Sequence, residues 1–171
     1  MFRTARLSTI TVAGPLLSMI LGCHSTQRTV IAVIPETTAQ EVWEAEHAGV
    51  EHASRAFGWD IYWNGPSRED DLPRQIEIVT NEINRHVAGL VLSPDHAVAL
   101  ISPVRSALAK GIPTVILGSP LGTSAKGALM FVMNDDRATG RMAAERASLY
   151  LHSADSVLIL GINPNILGCV I

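Results

Sequence analysis

Short apolar runs rich in β-branched residues alternate with longer amphipathic stretches from position 29 onward. A short apolar run bounded by turn residues is typical of a buried strand, and apolar residues at helical spacing indicate a helix. Strands that alternate with helices at this spacing favour right-handed βαβ units and a parallel sheet. We therefore predict an α/β fold, a doubly wound parallel sheet of about six strands with helices on both faces. The strands are predicted at residues 29–34, 59–63, 88–92, 113–117, 128–133 and 156–162, and the helices at 40–57, 71–86, 97–110 and 135–151.

Three of the helices carry apolar stripes. In residues 40–57 the stripe is predicted to contain Val42 and Ala45, followed by Gly49, Ala53 and Ala56. In residues 71–86 it comprises Leu72, Ile76, Val79 and Ile83, and in residues 97–110 it comprises Ile101, Val104 and Leu108. Pro103 falls inside the last of these helices and is expected to shift its start.

The first 23 residues differ from the rest of the chain. Arg3 and Arg6 precede an apolar run that is too short to span a membrane comfortably, which is the layout of a secretory signal. The run closes on Ile20-Leu21-Gly22-Cys23, which resembles a bacterial lipobox, so Cys23 is expected to carry the lipid. The alternative is an ordinary signal peptide with a chance cysteine. We predict a signal peptide at 1–22, a lipidated tether at 23–28, a first lobe at 29–162 and the start of a crossover at 163–171.

The composition limits the function classes. The 171 residues carry a formal net charge of −3, and 17% are charged while 47% are hydrophobic. This suits one globular domain and argues against a nucleic-acid surface. His47 and His52 lie too far apart for an i, i+4 pair of metal ligands, and residues 122–127 lack the spacing of a phosphate loop or a nucleophile elbow. The sequence predicts no cofactor, no metal and no enzymatic activity.

Polar residues follow the predicted strands. In a doubly wound sheet, ligands bind beyond the carboxyl ends of the strands where the strand order reverses, which we expect between the loops after the first and third strands. Hydrogen-bonding side chains and one indole suit a polyhydroxylated molecule, with the indole packed on a sugar ring. The candidate residues are Glu36, Thr37, Thr38, Gln40, Trp43, Asp95, His96, Asn134, Asp135 and Asp136.

Several of these residues have a second interpretation. Trp43 could be a core residue of its helix, and His96 a solvated loop residue. Thr37 and Thr38 equally suit the approach to a helix. Asp135 and Asp136 could be the N-cap and first-turn acid of the fourth helix, where carboxylates are favoured. The prediction of a site depends on the convergence of the residues.

Five segments together resemble the type I periplasmic sugar-binding proteins of the ribose-binding kind. They are 31–35 (IAVIP) with Trp43 and Gly49, 63–71 (WNGPSREDD), 87–94 (VAGLVLSP), 109–115 (AKGIPTV) and 134–136 (NDD) with Gly140. The resemblance implies two lobes that close on a sugar-like solute, and delivery to an ABC importer or a sensor from the periplasm or cell envelope.

The resemblance also implies roles for single residues. Trp43 takes the place of the aromatic residue that stacks on the sugar, and Asp135 and Asp136 match an Asp-Asn pair near the cleft. His96 stands where an acidic residue is frequent, and Gly118-Ser119 stand where ribose binders often carry Asp-Arg. Only the first lobe is expected in this chain, which predicts weak or no solute binding by the chain itself. The alternatives are a lone lobe that docks on a membrane partner, or a truncated product without function.

Overall fold

The computed structural model describes residues 29–160, which form five strands and four helices. The predicted signal peptide, the tether with Cys23 and the predicted crossover at 163–171 lie outside the described residues. The strands are β1 Val30–Ile34, β2 Asp60–Trp63, β3 Gly89–Leu92, β4 Thr114–Leu117 and β5 Leu129–Val132. The helices are α1 Glu41–Phe57, α2 Leu72–Asn84, α3 Ile101–Ala109 and α4 Asp136–Ser148.

All strand pairs in this sheet are parallel, and the strand order is β2-β1-β3-β4-β5. The chain moves from β1 outward to β2 and then crosses back over β1 to β3, so the direction of winding reverses between β1 and β3. This confirms the predicted fold class. The reversal lies between β1 and β3, and the loops after these two strands are the ones predicted from the sequence to border the ligand site.

The hydrophobic core lies between the sheet and the helices α2 and α3. Leu90, Leu92 and Ile116 of the sheet are at most 1% exposed and pack with Val79 and Val104 of the helices. Leu72, Ile76, Ile101 and Leu108 are partly buried against the same core, so the predicted stripes of both helices are confirmed. The third helix starts at Ile101 because Pro103 is accommodated in a first turn, where its missing N–H is not needed.

The predicted apolar stripe of α1 is wrong. Val42 is 65% exposed, and no residue of the helix is fully buried. The side turned toward the protein is a different one, and its half-buried residues are Trp43, Glu46, His47, Val50, Ala53 and Ser54. The reason is an aromatic contact that apolar periodicity does not register, since the His47 ring stacks on Trp63 of β2 with 4.6 Å between centroids.

The prediction of a sixth strand at 156–162 is not met in its described part. Residues 156–160 form no strand, and Leu158 and Leu160 are 81% and 79% exposed. The helix before this segment explains the result, because α4 has no buried residue and its one large apolar side chain, Met142, is 64% exposed. A crossover helix that does not pack on the sheet cannot return the chain to the sheet as a further strand.

Candidate functional site

The loops after β1 and β3 start side by side at the reversal of the sheet. The N–H of Ser93, directly after β3, donates to the carbonyl of Ile34, the last residue of β1, at 3.0 Å. From this point residues 35–40 lead into α1 and residues 93–100 lead into α3. The two loops therefore diverge from a common point, as in the crevice of other doubly wound sheets.

Glu36 is buried in this crevice at 7% exposure. The Ser119 hydroxyl, from the loop after β4, donates to its carboxylate. Burial raises the pKa of Glu36, and the carboxylates of Asp95, Glu69 and Asp70 raise it further, while the Ser119 hydrogen bond opposes the shift. Residues of the loops after β2, β3 and β4 thus interact with one carboxyl group.

The first turns of α1 carry an indole and a second carboxyl group, and the charge of Glu36 acts on that carboxyl group. Burial raises the pKa of Glu46 to about 7, with a smaller contribution from the negative charge of Glu36. Trp43 lies one turn before Glu46 on the same side of the helix. The indole Nε1 of Trp43 and Oε1 of Glu46 are both buried and lack a hydrogen-bond partner within residues 29–160.

Thr37 and Thr38 hold the loop after β1 against the loop after β2. The fully buried Thr37 donates its hydroxyl to the carbonyl of Pro66 at 3.1 Å, and Thr38 donates its N–H to the same oxygen at 2.9 Å. The Thr37 hydroxyl also accepts from the N–H of Ala39 at 3.1 Å. The structure therefore gives both threonines a role in loop geometry, and their contact with a solute stays a prediction.

Asp95 and His96 lie on the loop after β3 and are both half-buried. Burial is the main cause that raises the pKa of Asp95, followed by the nearby carboxylate of Asp70. His96 caps the turn before α3, because its Nδ1 accepts from the N–H groups of Val98 at 3.2 Å and Ala99 at 3.3 Å. These bonds fix the ring on its Nδ1 side and leave Nε2 for another partner.

Asp135 and Asp136 are exposed at the start of α4. Asp135 is the N-cap, and its Oδ1 accepts from the N–H of Ala138 at 2.8 Å, while Asp136 stands in the first helical turn. This is the second interpretation that the sequence left open. Both follow β5, which β4 separates from β3, and neither is among the groups that interact with Glu36. Their part in a solute site stays a prediction.

Three residues of this region are not among the candidates selected from the sequence. Ser119 was noted only as a departure from the ribose binders, although it follows β4 at the same edge of the sheet. Glu46 gave no signal, since a glutamate inside an amphipathic helix is expected to face solvent. Gln75 of α2 gave none either, yet it is fully buried and reaches the carbonyl of Pro35 at 3.0 Å.

A cavity of about 490 Å³ lies at the opposite edge of the sheet, lined in part by Thr29, Ala88 and the end of α2. It contains Glu82, which is 2% exposed and forms an ion pair with Arg85 at 2.9 Å. Since ligands of doubly wound sheets bind at the carboxyl ends of the strands, the loops around Glu36 are the better candidate.

Within residues 29–160 no group of three or more His, Cys, Asp or Glu is placed to hold a metal. No helix in the same range has the length and apolar character to cross a membrane.

Comparison with known proteins gives a family match and several similar structures. Residues 31–166 match the family described as periplasmic binding protein domain. A carbohydrate transporter solute-binding protein from Agrobacterium radiobacter, solved with D-arabinose, is 29% identical with a TM-score of 0.65 over 73% of this chain and 42% of that protein. An ABC transporter solute-binding protein from Agrobacterium vitis, solved with D-fucose, is 31% identical with a TM-score of 0.64 over 71% and 42%. No curated protein matches the chain.

A third structure shows the same fold at lower identity. An ABC transporter solute-binding protein from Burkholderia multivorans is 24% identical and superposes with a TM-score of 0.76 over 83% of this chain and 52% of that protein. The chain therefore spans about half the length of the solved structures that it matches.

Proposed function

The chain belongs to the family of periplasmic binding protein domains, and from this premise we propose that its Glu36 crevice forms one face of a binding site for a sugar or a sugar-like polar solute. The solute would be captured outside the cytoplasm and delivered to an ABC importer or a sensor. The observation that carries the proposal is the buried carboxyl of Glu36 at the reversal of the sheet, which accepts a hydrogen bond from Ser119 and whose pKa is raised by burial and by the carboxylate of Asp95.

The chemistry of this crevice suits hydroxyl groups. A sugar hydroxyl both donates and accepts a hydrogen bond, so it pairs with an ionised carboxylate as well as with a protonated carboxyl. Burial raises the pKa of Glu36, Glu46 and Asp95, and that of Glu46 rises to about 7, so Glu46 exists in both forms near neutral pH. A neutral, hydroxyl-rich solute can form hydrogen bonds with a carboxyl group in either form without bringing a charge of its own.

Trp43 would supply the apolar part of recognition. Its indole is half-buried next to Glu46, and its Nε1 lacks a partner among the described residues. An indole packs well on the C–H face of a pyranose or furanose. Asp135, Asp136 and His96 are further candidates for solute contact on the loops after β5 and β3.

Closure of a second lobe over the solute would complete the site. The solute shifts the equilibrium toward the closed form only by its contacts to both lobes. The described residues supply one face, so we expect these residues alone to bind the solute weakly, with a Kd of about 1 mM or above.

The test is a ligand-observed NMR titration of the chain with D-arabinose, D-fucose and a panel of other monosaccharides. Glu36→Gln and Trp43→Ala should each weaken binding at least about tenfold, because each removes a direct contact. Glu44→Gln is the matched control, since Glu44 lies on α1 with a side chain that is 70% exposed. Binding that is unaffected by both test variants would refute the proposed site.

We also propose that Cys23 anchors the protein to the membrane of the cell envelope. The support is the apolar run that ends in Ile20-Leu21-Gly22-Cys23 and the extracytoplasmic setting of the family. Metabolic labelling with an alkyne-bearing fatty acid should mark the parent chain and leave Cys23→Ser unlabelled. Equal labelling of the two chains would contradict lipidation at this residue.

A further inference from the structure

The side chain of Gln75 joins the two loops that border the crevice. It lies in the first turn of α2 and is fully buried. Its Nε2 donates to the carbonyl of Pro35 at 3.0 Å and to the carbonyl of Ser93 at 2.8 Å. Its Oε1 accepts from the N–H of Asp95 at 2.9 Å. One side chain therefore contacts the backbone on both sides of the reversal.

Only a primary amide can make this set of bonds. The three backbone groups lie where β1 and β3 have ended, so strand pairing does not satisfy them. A buried backbone group without a partner is strongly destabilising. Glutamine offers two N–H donors and one carbonyl acceptor, an ionised glutamate offers acceptors only, and methionine offers neither donor nor strong acceptor. Asparagine has the same groups on a stem that is one methylene shorter.

The loop after β2 fixes the same stretch from the other side. Gly65 lies so close to Pro35 that an added Cβ would stand 3.0 Å from the Pro35 carbonyl oxygen. That oxygen is the one that accepts from Gln75. Thr37 is bound to Pro66 in the next residues along both loops. The backbone that carries Glu36 is therefore held between Gln75 on one side and the Gly65-Pro66 segment on the other.

We infer that Gln75 is the positioning residue of the solute site. It sets the separation between the backbone before Glu36 and the backbone at Asp95, so that both carboxyl groups are in place before a solute arrives. The inference rests on the proposed function for its consequence in binding. It adds a residue on α2 that has no contact with the solute and controls two residues that do.

The first experiment uses the unmodified chain without solute. Both side-chain amide protons of Gln75 are bonded to carbonyls in a buried position, so they should exchange with solvent at least about tenfold more slowly than those of Gln40. Gln40 is a suitable internal reference, because it is exposed and its amide is bonded to Glu69 at the surface. Equal exchange of the two side chains overturns the inference, whatever any variant does.

The second experiment compares Gln75→Met with Gln75→Glu. The methionine variant removes the acceptor of the Asp95 N–H, which should exchange at least about tenfold faster relative to the core amide of Leu92. The glutamate variant keeps that acceptor and loses both donors, so the Asp95 amide should stay protected. Ile78→Val is the control on the same helix, since Ile78 is 2% exposed and is not bonded to either loop.

The sugar titration then separates positioning from a general loss of stability. Both Gln75 variants should bind the best monosaccharide of the panel at least about tenfold more weakly than Ile78→Val does at equal fractions of folded protein. For Gln75→Glu, acidification should recover part of the affinity lost relative to the parent, because the introduced carboxyl becomes a donor to one carbonyl when it is protonated.

The outcomes of the two readouts are distinguishable. A parent chain that binds no sugar contradicts the proposed function. The amide exchange rates are measured without solute, so they still test the role of Gln75 in that case. Variants whose Asp95 exchange and sugar affinity match those of Ile78→Val overturn the inference. Should a variant fail to fold, the side-chain amide exchange of the unmodified chain decides the question.

Discussion

Replacement of Glu46 by glutamine should stabilise the protein at alkaline pH and have little effect at acid pH. Burial raises the pKa of Glu46 from 4.5 to about 7, and the charge of Glu36 adds to the shift. Between these values the unfolded chain releases the proton that the folded chain keeps. The free energy of unfolding therefore falls as the pH rises from about 4.5 to about 7, and the full penalty applies above that range.

The size of the effect follows from the two pKa values. The pKa difference from 4.5 to about 7 limits the loss in the free energy of unfolding to at most about 3 kcal/mol, because each pKa unit corresponds to about 1.4 kcal/mol. Glu46 is only half-buried, so solvent screens its charge and we expect about 1–2 kcal/mol. Glu46→Gln keeps the volume of the side chain and removes its ionisation. The variant should thus be more stable than the parent by this amount at pH 8 and equal to it at pH 4.5.

Urea unfolding followed by tryptophan fluorescence at pH 4.5, 6, 7 and 8 measures the difference directly. Titrating groups that do not interact with Glu46 are common to both proteins and cancel when the variant is compared with the parent at each pH. Glu44→Gln, on the exposed side of the same helix, should reproduce the pH dependence of the parent. A stability difference between Glu46→Gln and the parent that is the same at all four pH values would refute a buried, ionisable Glu46.

Three further predictions concern the fold. Leu92→Ala should lower the free energy of unfolding by about 2–5 kcal/mol in a urea titration, because Leu92 is fully buried in the core. Asp135→Ala should reduce the helical circular dichroism through the loss of a cap worth about 1 kcal/mol. The midpoint of urea unfolding should stay unchanged, because α4 has no buried residue. A shifted midpoint would show that α4 does pack on the core. His47→Ala should change the fluorescence of Trp63 and lower stability by about 0.5–1.5 kcal/mol through loss of the ring stack; the same loss in His52→Ala, on the exposed side of α1, would contradict a specific stack.

The positions of the first five strands along the chain could be predicted because each is a short apolar run between turn residues. All five were found within two residues of their predicted ends. The reversal between β1 and β3 followed from the general rule for doubly wound sheets. The sixth strand failed although residues 156–160 are as apolar as the others. An apolar run becomes a strand only when a neighbouring strand and a covering helix are present, and periodicity contains no information on either.

The prediction of the buried helix faces is limited by the same lack of information on tertiary contacts. The stripes of α2 and α3 were predicted correctly, because Leu72, Ile76, Ile101 and Leu108 contact a core made of apolar residues. The stripe of α1 was shifted, because its inner side holds polar groups, among them Glu46 and His47. A pattern that counts apolar residues assigns such groups to solvent.

Two residues that shape the site were missed for a related physical reason. Gln75 and Glu46 are polar residues buried on the inner sides of amphipathic helices, and a buried polar group is stable only when its partners are in place. For Gln75 the partners are Pro35, Ser93 and Asp95, at 40, 18 and 20 positions along the chain. No local pattern can identify partners at such separations, because the sheet brings them together only after the strands have paired. The candidate site could therefore be located from the sequence by its edge of the sheet, whereas the side chains that shape it required the tertiary structure.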